Sequence, residues 1–238
     1  MKNGIRILLV LFGFIAVNAS AAQFDQTHAM FSALLKRHVK DGRVDYRALK
    51  ADPAPLRLYL RKASLVQEGE FNRWSKNDRL AFLLNLYNAA TLQLILDNYP
   101  VKSIKDIGGF FSGPWKQKVV KLFGETTTLD QLEHGIIRPN YSEARAHFAL
   151  VCGAKGCPPL RPEAYLGVRL DNQLDEQGRI FLGQSQKNRV DAAAGRVYLS
   201  PIFSWFDEDF EKQSGSVLNF VKPFFGKAHV AYLPKSKI

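Results

Sequence analysis

Cysteine is scarce: Cys152 and Cys157 are the two in 238 residues, and so few exclude a small disulfide-dense scaffold. Glycine and proline are also sparse, at 17 and 11, too few for a collagen-like or low-complexity chain. No block of five like charges, no internal repeat and no linker is present. No Gly-x-Ser-x-Gly elbow occurs. The glycines of Gly108-Gly109-Phe110-Phe111-Ser112-Gly113-Pro114-Trp115 lack the spacing and the Lys-Ser/Thr ending of a nucleotide-binding loop, so no cofactor is expected.

What is present suffices for one core of ordinary size: 46% hydrophobic, 12% aromatic and 23% charged residues. Lys2 and Arg6 lead into the apolar run Ile7 to Val17, and Ala19-Ser20-Ala21 supplies small residues for cleavage. Residues 1–21 therefore read as a secretory signal peptide, and 22–238 as a single exported domain, periplasmic in a bacterium or secreted. The run is shorter than the roughly 20 residues that span a bilayer, so no retained transmembrane helix is expected. Without Lys2 and Arg6, 31 Lys plus Arg stand against 22 Asp plus Glu, a net +9. That balance favours an anionic envelope polymer or lipid surface as partner, with dispersed solvated charge as the simpler reading, and the compartment argues against nucleic acid. Oligomeric state is not legible.

Periodic apolar residues predict helices over 25–39 and after Pro53 and Pro55. The segment after Asp78, apolar on nearly every side and closed by Asn98-Tyr99-Pro100, predicts a central buried helix capped by Asn77 or Asp78. Asn85 and Asn88 share one of its faces, either bonding to crossing backbone or lining a polar cleft. Gly108 to Trp115 suggests a loop packed over something, as a lid would be. Hairpins are expected about Gly124 and about 192–195, a short helix capped by Asp130 and ended by Pro139, a doubly covered strand over 146–152, helices over 170–182, 202–212 and 217–225, and a closing strand over 229–233. The segregation of helices and hairpins makes the fold class α+β, with a mostly antiparallel sheet and a central buried helix.

The stretches VDYRAL (44–49), AFLLNLYNAATL (81–92), LDQLEHGIIR (129–138), HFALVCGAKGCPPLR (147–161), LDNQLD (170–175) and VYLSPIFSWFDEDF (197–210) resemble the successive blocks of domain of unknown function 547, over about residues 40–212. Leu84 and Gly156 depart from the family pattern without touching a reactive group. The resemblance marks Asn85, Asn88, Glu133, His134, His147, Cys152 and Cys157 as motif positions, and suggests a relation to papain-like or transglutaminase-like cysteine enzymes.

Two readings of the chemistry follow. In the first, Cys152 at a strand end is the nucleophile of a hydrolase or acyl transferase acting on an amide or cell-envelope substrate, with the Gly153 amide as oxyanion donor. A thiol attacks well only when a base raises its thiolate fraction. On a regular strand His147 would lie about 16 Å from Cys152, on the opposite face, so His134 is the preferred base and His229 the reserve. Glu133 lies about 100° from His134 around a helix and is expected to meet Arg138 or Arg161 instead. Asn85, Asn88, His147 and Arg161 are candidate substrate-binding groups. In the second reading Cys152 and Cys157 are joined across the turn of a non-catalytic binding or scaffold domain. Two inert thiols are a further possibility. A zinc set of His147, Cys152 and Cys157 lacks a fourth ligand, so no metal is expected. The acidic run Asp207, Glu208, Asp209 and Glu211 reads as a solvated helix face.

Overall fold

The computed structural model describes residues 23–109, 112–153, 156–191 and 193–225. The signal-peptide expectation, His229 and the strand over 229–233 lie outside them.

Helix α1 (Ala29–His38) leads into the short pair β1 (Val39–Lys40) and β2 (Arg43–Val44), followed by α2 (Tyr46–Ala51), α3 (Ala54–Ser64) and α4 (Glu68–Phe71). Asp45 caps α2 by accepting a hydrogen bond from the Ala48 amide at 3.0 Å. Helix α5 (Lys76–Asp97) is the expected central helix, buried nearly all round. Its cap is Ser75 rather than Asn77 or Asp78, because the Ser75 hydroxyl lies three residues before the Asp78 amide and accepts from it at 3.1 Å. By length and hydropathy α5 could cross a membrane, yet protein covers it here. Leu83 and Leu84 are fully buried on it, and each such leucine contributes about 2 kcal/mol.

Strands β3 (Lys118–Leu122) and β4 (Glu125–Thr128) pair about Phe123 and Gly124, both left-handed at φ 53° and 82° as a two-residue primed turn requires. The next turn, Gln131–Ile137, is π-helical and runs on into α6 (Arg138–Tyr141). Pro139 therefore lies in the first turn of α6, where a missing N–H is harmless, and does not end the helix. Thr128 Oγ1, rather than Asp130, accepts from the Gln131 amide at 2.9 Å.

The strand expected over 146–152 is a second correction: the segment opens with helix α7 (Ala146–Ala149). A short, mostly apolar segment has the same composition in a buried helix as in a buried strand. Here α8 (Leu170–Leu182) covers it, and Arg145 ties the two helices by ion pairs to Glu143 at 2.6 Å, Asp175 at 2.7 Å and Asp171 at 2.9 Å. Strands β5 (Arg189–Asp191) and β6 (Arg196–Tyr198) pair as expected. The helix expected over 202–212 breaks at Phe206 (φ −130°, ψ 28°) into α9 (Ile202–Trp205) and α10 (Asp207–Ser214), and α11 (Val217–Val221) follows.

The fold class is α+β and its strands are antiparallel. Among the described residues they form separate two-stranded ladders instead of one sheet. The core is assembled around α5, against β3 and the π-helical turn on one side and α1 to α3 on the other. A phenylalanine cluster built on Phe148, Phe181, Phe203, Phe210 and Phe220 joins α7 and α8 to the C-terminal helices.

Candidate active site

A cavity of about 430 Å³ opens where α5, the π-helical turn, α7, the cysteine turn and α9 meet. Trp115, Leu150, Ile202, Trp205 and Phe206 form its apolar walls. Tyr87, Lys105, Asp130, Glu133, His134 and His147 supply its polar groups, and Cys152 and Cys157 border it. Trp205 is an exposed aromatic at the mouth, 58% accessible, whereas His147 is buried at 3%.

Three sequence-distant segments meet at His147. Its Nε2 lies 2.7 Å from Asp209 Oδ2, its Nδ1 lies 3.8 Å from Glu133 Oε1, and its ring stacks on Phe206 with centroids 3.9 Å apart. An ionised carboxylate only accepts, so the short bond to Asp209 places the proton on Nε2 and leaves the Nδ1 lone pair facing Glu133. Arg138 completes the array with a two-pronged bond to Asp209, Nε to Oδ2 at 2.6 Å and Nη2 to Oδ1 at 3.1 Å, while its Nη1 lies 2.8 Å from His134 Nδ1.

The environments drive these groups apart in acidity. Burial raises Glu133 from an ordinary 4.5 to about 7; the facing Tyr87 hydroxyl and the Arg138 charge oppose this, and Asp130 and Asp209 reinforce it. Asp209 is held well below the usual carboxylate range, first by the hydrogen bond from His147 and then, against some burial cost, by Arg138. Burial lowers His147, with Asp209 opposing it, so the imidazole is neutral near pH 7. A carboxyl poised at neutrality therefore faces a neutral imidazole oriented by an ionised carboxylate.

The expected site residues separate into two groups. Glu133, His134, His147, Cys152 and Cys157 share the cavity. Cys152 and Cys157 are joined as a disulfide, so in this state Cys152 carries no thiol and neither sulfur can serve a zinc set as a thiolate. The 16 Å separation expected for His147 and Cys152 rested on a strand that is in fact α7 and its exit, and both residues border one cavity. Gly153 is left-handed at φ 75°, and a Cβ there would sit 3.1 Å from Ile104 Cδ1.

Asn85, Asn88 and Arg161 lie outside the cavity lining. Asn85 clamps one backbone segment, donating to Tyr165 O at 2.8 Å and accepting from the Tyr165 amide at 2.9 Å. Asn88 does the same, with Ala149 O at 2.9 Å and the Val151 amide at 3.0 Å. Arg161 is buried among Glu163 at 2.6 Å, Glu176 at 2.9 Å and Gln173 O at 3.3 Å. Glu133 meets neither His134 nor Arg161 but faces His147 and Tyr87.

Asp209 was hidden in an acidic run whose pattern is that of a solvated face. The break at Phe206, directly after Ser204-Trp205 in the SWFDED block, reorients this residue inward. The aromatic density of that block was the available signal.

Fold and cavity together define a mixed α+β domain with an aromatic-walled cleft around a carboxyl–imidazole–carboxylate array. Residues 71–182 match the model of the family described as protein of unknown function, DUF547, so the chain carries a DUF547 region that holds α5, Glu133, His147 and both cysteines. No curated protein and no solved structure matches the chain.

Proposed function

We propose that this is an exported hydrolase that removes acyl groups from a cell-envelope glycan by general acid–base catalysis. The observation that carries the reading is the meeting of Glu133, raised to about 7, with the neutral, Asp209-oriented His147 across 3.8 Å at one cavity. Glu133 donates its proton to the leaving oxygen as the bond from that oxygen to the acyl carbon breaks. His147 Nδ1 takes a proton from the attacking water as its oxygen bonds to the acyl carbon, a planar centre at which a base and an acid 3.8 Å apart act from one side, whereas a glycosidic bond would need them on opposite sides of a sugar ring. Transfer of that proton from His147 to Glu133 restores the starting state. Trp115 and the exposed Trp205 offer apolar surface for the C–H faces of sugar rings. The Cys152–Cys157 bond and the leader-type N-terminus support an oxidising, exported location.

This chemistry needs no free thiol, whereas nucleophilic attack by Cys152 requires reduction. The two are separated by assaying release of carboxylic acid from acylated envelope glycan fragments. With Glu133 and His147 as the catalytic pair, Glu133→Gln lowers kcat by about 10²–10⁴-fold and dithiothreitol leaves the wild-type rate unchanged. Activity that appears only with reductant would replace this mechanism by thiol catalysis. The disulfide also favours a second reading, a turn-locked binding module, for which glycan binding without turnover under either condition is the signature.

A further inference from the structure

A second concavity of about 330 Å³ lies where α3, α5 and β3 meet. Arg57 and Arg61, one turn apart on α3, face it together with Lys121 on β3, and no carboxylate lines it. Arg57 is ion-paired with Asp97 at 3.8 Å; Arg61 and Lys121 have no acidic partner among the described residues. The floor is apolar, formed by Leu60, Leu86 and Val119.

Gln93 supplies an independent observation. Its Nε2 donates to Asp97 Oδ1 at 2.7 Å, which fixes the orientation of the amide, and its Oε1 is then buried at the groove with no hydrogen-bond partner. A buried acceptor without a donor costs about 1–3 kcal/mol, and a ligand hydroxyl would relieve it. Cations alone would suit any anion. Cations, an apolar floor and an unfilled acceptor together suit a molecule that has a negative group, a C–H face and a hydroxyl.

We infer that this groove binds an acidic sugar residue of an anionic polysaccharide. The inference names the substrate class of the proposed hydrolase and in that respect rests on it. Trp115 of the catalytic cavity and Val119 of the groove are four residues apart, so lining residues of the two sites lie within about 14 Å of chain. In residues 22–238 the excess of 31 Lys plus Arg over 22 Asp plus Glu steers such a polymer toward the protein.

The test is calorimetric titration of the full exported chain with trigalacturonate, maltotriose and inorganic phosphate at 20 and 150 mM salt. Trigalacturonate is expected to bind at least tenfold more tightly than maltotriose at the lower salt. The combined Arg61→Ala and Lys121→Ala substitutions, both at exposed positions, should weaken it at least tenfold. Gln93→Ala should weaken trigalacturonate by threefold or more while leaving phosphate unchanged. Equal binding of the two sugars, or indifference to the double substitution, overturns the site. Phosphate matching trigalacturonate with no effect of Gln93→Ala overturns the sugar and leaves a bare-anion groove. Glu133→Gln should bind trigalacturonate as the wild type does, so a failure of the hydrolase reading shows in turnover and a failure of the groove shows in binding.

Discussion

The acidity of Glu133 has a consequence for folding that can be measured without a substrate. The carboxyl is 9% exposed and titrates near 7 in the fold against an ordinary 4.5. The native state therefore binds this proton more tightly than the unfolded chain does. Between pH 4.5 and 7 the folded protein gives up stability as pH rises, and above 7 the whole loss is present. The gap of 4.5 to about 7 corresponds to about 3 kcal/mol. Glu133→Gln keeps the side-chain shape and a hydrogen-bond partner for Tyr87 but has no charge to desolvate. At pH 8 the variant should be more stable than the wild type by up to about 3 kcal/mol, a rise in Tm of about 6–12 °C for a domain of this size. At pH 4.5 the two should nearly coincide. His147 and Asp209 titrate in both proteins, so their own contributions largely cancel in the difference. Paired thermal and urea unfolding at pH 4.5, 6 and 8 measures it. A stability difference that does not grow with pH would refute the account of Glu133 as a desolvated carboxyl.

Asp209→Asn removes the group that raises His147, so the imidazole midpoint followed by NMR should move to lower pH; an unmoved midpoint contradicts the assigned pairing. Asn88→Ala strands the Ala149 carbonyl and the Val151 amide, and chemical denaturation should show a loss of about 3 kcal/mol. Arg145→Ala leaves the half-buried Glu143 unpaired and unties α7 from α8, with an expected cost of about 2 kcal/mol in the same assay. Wild-type stability should also fall in acid as Asp209 is protonated: its folded pKa is depressed, so its contribution is present above its ordinary 3.8 and is lost as pH drops through the folded value.

Helix α5, the turn at Phe123-Gly124, α8 and the β5–β6 pair were legible because each is encoded in neighbouring residues: apolar periodicity, a glycine at a positive φ, a proline just past a helix end. The motif blocks that resemble DUF547 marked Glu133, His147 and the cysteines by the same local means. The amide pair on α5 was visible too, although whether it faced backbone or cleft depended on what crossed the helix.

The mostly apolar segment from Ala146 to Cys152 was misread because strand and helix differ there only in what packs against them, and α8 decides that. Asp209 lies 62 residues from His147, and nothing within the acidic run distinguishes an inward carboxylate from a solvated one. The choice between bonded and free sulfurs also needed their approach in space. Local propensity thus determined α5, α8 and the turns at Gly124 and Gly195, while the helical state of α7, the acidity of Glu133, the orientation of His147 and the open acceptor of Gln93 arose only from burial and long-range contact, which act on packing, charge and hydrogen bonding once the chain has closed around them.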